Sequence, residues 1–178
     1  MGEIGAHLVR KWHVAYVRVN QERRVTTHLD HRGIEQYLPC YNSTRQRKDR
    51  RVTLSVPLFP GYIFVRVAAP ERMSVLTVPN IISLVGNKSG PAEIPDGHIE
   101  QLQNGITECS VHPHAYLQTG TQVLILRGPM AGFKGILIRH RNNARVVVNI
   151  DTIARAFSVE IDINDVEVLT AGGIAKAC

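Results

Sequence analysis

Cysteine is scarce in this 178-residue chain and widely scattered: Cys40, Cys109 and Cys178 form no Cys-x-x-Cys pair. That spacing excludes a zinc ribbon and a disulfide scaffold and fits reduced thiols. No run approaches the ~20 apolar residues that a membrane span needs. The longest greasy stretch, Val75 to Val85, is broken by Thr77, Pro79, Asn80 and Ser83. Met1 to Ala6 holds no apolar signal core, so a cytoplasmic protein without membrane attachment is expected. Aromatics amount to 6%, with a single Trp, so each ring is a clue. No Gly-rich phosphate loop, Ser/His/Asp set or close carboxylate pair stands out, and no enzyme is expected. His28-x-x-His31 and Cys109-x-x-His112-x-His114 fall short of four ligands at zinc spacing, so neither a metal nor another cofactor is expected.

What is present is a globular composition, 44% hydrophobic and 20% charged, with no internal repeat and no low-complexity tract. Lys+Arg number 21 against 15 Asp+Glu, a net of +6, and the pI is near 9.5. Such a balance favours a polyanionic partner. The charge is uneven. Residues 1–69 hold 12 Lys/Arg and 5 Asp/Glu, residues 70–119 are net −3, and residues 120–178 are net +2. One dense run, Arg45-Gln46-Arg47-Lys48-Asp49-Arg50-Arg51, dominates the basic third.

Hydrophobic alternation predicts a strand over Trp12–Val19, with Trp12, Val14, Tyr16 and Arg18 on one face. Asn20 is placed to cap a helix that has Glu22 in its first turn and ends at Gly33. Val25 and Leu29 share one face of that helix. Strand-like arms on either side of the basic run suggest a projecting hairpin. Pro60-Gly61 signals a turn before a strand over Tyr62–Val67. A helix over Pro70–Val78, a strand over Ile81–Val85 and a helix capped by Asp96, carrying Ile99, Leu102 and Ile106, complete an α+β layer. Cys109 to Thr119 holds Pro113, two histidines and no period, and reads as a linker. Beyond it, short runs at 122–126, 135–139, 145–150, 157–161 and 166–169 suggest a small barrel. Ala171 to Cys178 reads as a loose tail.

These residues resemble a known family. Trp12-x-x-x-Tyr16, the block Phe59-Pro60-Gly61-Tyr62-Ile63-Phe64-Val65, and Gly128-Pro129-Met130-Ala131-Gly132-Phe133-Lys134-Gly135 after a linker are together similar to the NusG family of transcription elongation factors. The resemblance covers roughly residues 10–170. It implies a NusG N-terminal domain over 10–108, an antiparallel sheet with packed helices, then a linker over 109–119. A KOW domain, an SH3-like β-barrel, follows over 120–170. Tyr16 and the block from Leu58 look closer to specialised paralogues such as RfaH and the UpxY-type antiterminators. The second half is similar to an ordinary NusG barrel, and Val146-Val147-Val148 is poor helix material. RfaH has a polar, Thr-rich stretch where this chain has Met73-Ser74-Val75-Leu76, so sequence-specific DNA reading is not carried over.

The resemblance also implies partners. Trp12, Tyr16, Phe59, Pro60, Gly61, Tyr62 and Phe64 match the groove that docks on the clamp helices of the largest RNA polymerase subunit. Core and docking are equally good readings for Trp12 and Phe64, whereas Tyr16 and Phe59 are expected at the surface. Arg45, Arg47, Lys48, Arg50 and Arg51, extended by Arg18, suit the backbone of upstream or non-template DNA; a solvated loop is the plainer reading. Ile153, Arg155 and Phe157 match the loop that grips a ribosomal protein or the terminator Rho, with one of the two apolar residues serving the core. Gly128, Gly132 and Gly135 are expected to serve backbone turns. The function implied is that of a monomeric, nucleoid-associated elongation and antitermination factor. The alternative is an RNA-binding ribosomal scaffold that uses the same barrel.

Overall fold

The computed structural model describes residues 9–46, 51–114, 116, 120–140 and 143–169. In chain order the elements are β1 (Lys11–Val17), α1 (Glu22–His31), β2 (Glu35–Tyr37), β3 (Cys40–Gln46), β4 (Arg51–Pro57) and β5 (Tyr62–Val67). Next come α2 (Arg72–Leu76), β6 (Ile81–Leu84), β7 (Gly86–Asn87), β8 (Gly90–Pro91) and α3 (Asp96–Glu108). The remainder is β9 (Val111–His114), β10 (Thr121–Ile125), β11 (Lys134–His140), β12 (Asn143–Ile150), β13 (Arg155–Ile161) and β14 (Val166–Val168). The fold is α+β, and all the strand pairs are antiparallel. The chain divides into two compact units, 1–39 with 59–99, and 40–58 with 100–178.

The first unit is built on a sheet of order β2-β5-β1-β6. Alternation along β1 turns Ala15 and Val17 to the face where Ile63, Val65 and Val67 of β5 also lie, and α1 packs there through Val25 and Leu29. Each of these buried Val, Ile and Leu side chains contributes roughly 1.5–3 kcal/mol. Helix α1 ends as expected at Gly33, whose φ is +66°; its N–H bonds to Asp30 O and that of Ile34 to Leu29 O. The start of α1 differs from expectation. Asn20 does not cap the helix: it takes a φ of +66°, closing a tight turn in which Gln21 N–H reaches Arg18 O at 3.1 Å, and the cap position falls on Gln21. The expected helix from Pro70 is shorter too, a 3-10 turn over Ala69–Glu71 followed by α2.

The N-terminal end of β1 is clamped by ions. Arg10 makes two hydrogen bonds to Glu71, at 2.6 and 3.0 Å, and Glu71 also accepts Ala68 N–H at 2.9 Å. Arg10 first, then the amide, hold the Glu71 carboxyl below its ordinary range. A carboxyl lowered in the folded state contributes stability above its unfolded pKa and loses it as pH falls. The contribution of this carboxyl to the melting temperature should therefore be lost as pH falls through the carboxylate range, and Glu71→Gln should flatten the acid side of a calorimetric pH series.

The second unit holds the β3–β4 hairpin, the end of α3 from Glu100, and a six-stranded sheet of order β14-β10-β11-β12-β13-β9. The five runs expected after Gly120 appear as β10 to β14, within one to two residues. The expected linker differs: Val111–His114 forms β9, paired with β13 so that Pro113 faces Phe157. Proline is compatible with that place because β9 is an edge strand. The glycines divide as well. Gly128 and Gly132 take φ values of +84° and +91° and make the turn between β10 and β11, whereas Gly135 lies inside β11. A Cβ on Gly135 would meet Val146 Cγ1 at 2.5 Å and Val147 O at 2.7 Å, so close approach of β12 is what requires glycine there.

Candidate functional site

Strand register assembles the aromatic motif. Tyr16 sits opposite Tyr62, and Val14 opposite Phe64, so Trp12, Tyr16, Tyr62 and Phe64 share the face away from α1. The Phe59–Tyr62 segment is a type II turn, with Pro60 second, Gly61 third at a φ of +84°, and Tyr62 N–H returning to Phe59 O at 3.1 Å. Gly61 is held on both sides. Its C=O accepts Val17 N–H at 2.8 Å, and its N–H donates to the Glu22 carboxylate at 2.8 Å.

The rings then separate by burial. Trp12, Phe59 and Phe64 are 5%, 1% and 1% exposed. Phe59 meets Phe64 edge-on at 6.4 Å, and Phe64 stacks on Tyr37 at 6.2 Å. Phe59, expected at the surface, is thus a core residue here, because the turn that exposes Pro60 folds the preceding ring inward. Tyr16 is 38% exposed and lies 5.4 Å from the half-buried Tyr62. Val19, at 54% exposure, adjoins them across Gly61. The open aromatic surface is therefore Tyr16 with Tyr62, flanked by Val19 and the exposed Pro60.

The basic run is split by its surroundings. Arg45 lies opposite Val52, and Gln46 opposite Arg51, at the far end of the β3–β4 ladder. Arg51 is exposed, and Arg47, Lys48 and Arg50 lie outside the described residues. Arg18, also exposed, is in the first unit, at the turn after β1. In the second unit Ile153 and Phe157 are 6% and 0% exposed, so both apolar members of the expected partner loop are core, where one was expected to be. Phe157 packs at right angles to Phe133 at 6.4 Å. Arg155 is exposed and follows Ala154, whose φ of +47° turns the chain from the 3-10 segment Asp151–Ile153 into β13. Also exposed are Met73 at 65% and Leu76 at 38%, on α2.

Sequence reasoning missed Glu22, which it placed only as a first-turn acid of α1. Its bond goes to a main-chain amide 39 residues away, and no residue pattern carries that signal. Among the described residues no three His, Cys, Asp or Glu side chains gather as a metal site, and no helix is long and apolar enough to cross a membrane.

An antiparallel sheet with packed helices, followed by a β-rich unit with a glycine turn, is the NusG-like α+β arrangement, and the comparisons agree. The NusG family model, described as transcription termination factor nusG, matches residues 10–103, more than half of the chain. The transcription termination/antitermination protein NusG of Escherichia coli (strain K12) is 25% identical over 173 residues, covering 89% of this chain and 96% of its own. That of Pseudomonas aeruginosa is 22% identical over 175 residues, covering 90% and 99%. The solved structure "Domain interaction in Thermotoga maritima NusG" has a TM-score of 0.58 at 20% identity, covering 90% of this chain and 98% of that one, a likeness of fold. The chain belongs to the NusG family of transcription termination and antitermination factors.

Proposed function

We propose that this protein is an elongation and antitermination factor of the specialised, RfaH/UpxY-like type. It docks on the clamp helices of the largest RNA polymerase subunit through Tyr16 and Tyr62. The observation that carries the reading is the exposed Tyr16–Tyr62 pair beside Val19 and Pro60, on a sheet face whose other rings are buried. Amphipathic tyrosine rings are effective anchors for a helix laid against them. Trp12, Phe59 and Phe64 are buried and belong to the core beside this surface. Arg45, Arg47, Lys48, Arg50 and Arg51, with Arg18, neutralise upstream or non-template DNA phosphates without reading bases. The second unit, with Arg155 at its surface, contacts a ribosomal protein or Rho. The protein performs no reaction; its binding favours the active polymerase state. It acts as a monomer in the cytoplasm, at the nucleoid.

The test is titration of bacterial core RNA polymerase with full-length Tyr16→Ala. Binding should weaken about 10–30-fold, as for an interface anchor worth ~1.5–2 kcal/mol, with the melting temperature unchanged. Undiminished binding by a folded variant sinks the docking surface.

A further inference from the structure

Glu22 is 4% exposed, and a buried carboxylate is costly unless its oxygens are partnered. None of the ion pairs among the described residues involves it. A first-turn acid that only stabilised its helix would face the free N–H groups of that helix. This one leaves α1 and accepts the Gly61 N–H at 2.8 Å.

Gly61 is the floor of the exposed aromatic surface. A Cβ built there would lie 3.4 Å from Val19 Cγ2 and 3.5 Å from Tyr16 Cε2, so the ring and the valine stand over Gly61 at about the distance of one methyl group. Tyr62 follows by one covalent step. The turn at Asn20, with its φ of +66°, carries Glu22 to this place. Glu22 thereby supplies a side-chain bond to this turn, beside the main-chain bonds from Val17 N–H to Gly61 O and from Tyr62 N–H to Phe59 O.

We infer that Glu22 is a positioning residue of the docking surface: strand register pairs Tyr16 with Tyr62, and the Glu22 bond to Gly61 holds the Phe59–Tyr62 turn that places Gly61 and the exposed Pro60 beside that pair. The inference rests on the docking reading above. A turn ordered in advance does not have to be ordered on binding, and that ordering is a recurrent cost of association.

The test compares full-length Glu22→Leu, Glu22→Gln, Val25→Ala and Tyr16→Ala in core polymerase binding, with hydrogen exchange at the Gly61 amide. Gln keeps an acceptor oxygen at the same reach, and Leu fills the space without one. Val25→Ala thins the core under the same sheet and so reports stability alone. Glu22→Leu should bind about tenfold more weakly with faster Gly61 exchange, while Glu22→Gln and Val25→Ala stay within about twofold of the parent. Parental binding by Glu22→Leu, or an equal loss in Val25→Ala, overturns the positioning role. An unprotected Gly61 amide in the parent chain overturns it without any variant. Full-strength binding by Tyr16→Ala overturns the docking reading instead; the two failures differ because Gly61 exchange in Glu22→Leu would still be faster.

Discussion

Phe59→Ala is expected to cost the first unit about 3–5 kcal/mol, the usual penalty for emptying a buried phenylalanine site. Its melting temperature should fall by roughly 12–40 °C, given 4–8 °C per kcal/mol for a unit of this size. The ring is 1% exposed and abuts Phe64, which in turn stacks on Tyr37. The cavity would therefore loosen a chain of three rings. Circular dichroism melts give the first number, and polymerase binding below the new transition gives the second. Binding should persist wherever the variant is folded, since Tyr16 and Tyr62 stay in place. A variant that melts like the parent but no longer binds would return Phe59 to the surface.

Phe157→Ala should be as severe in the second unit, again about 3–5 kcal/mol. Its side chain is fully buried against Phe133. It also lies in β13, which is paired on both sides, with β12 and with β9. A small barrel-like sheet has little stability to lose, so the amide spectrum of this unit should collapse at physiological temperature. Arg155→Ala, two residues earlier and exposed, should leave urea unfolding within about 0.5 kcal/mol of the parent. If the two variants destabilise equally, the division of this loop into core and surface is wrong.

Much of the fold was legible because the residues state it locally. Alternation in β1 and β5, the Gly33 stop of α1 and the β-branched run of β12 each act within a few residues. What escaped depended on distant partners. Strand β2, Glu35-Gln36-Tyr37, has no alternation of its own and exists because β5 offers it an edge. Pro113 reads as a break until the sheet order puts it at a rim. In the site, the pairing of Tyr16 with Tyr62 follows from two strands meeting in register. The inward turn of Phe59 follows from the geometry around Pro60 and Gly61, which the same letters would allow with the ring outside. Arg18 and the basic run stand out in the sequence by charge alone; Arg18 lies at the turn after β1, and Arg45 and Arg51 lie in the β3–β4 ladder.

The β3–β4 ladder behaves as a ruler. It pairs without interruption from Cys40↔Pro57 to Gln46↔Arg51, so the number of pairs sets how far the Gln46↔Arg51 end stands from the root. Inserting two residues into each arm would lengthen the ladder by about 6.8 Å and keep the two faces of the strands as they are. Inserting one per arm would exchange the faces beyond the insertion. The reach of this hairpin can thus change in even steps through insertions in its arms alone, while the tyrosine surface on the other unit is left as it is.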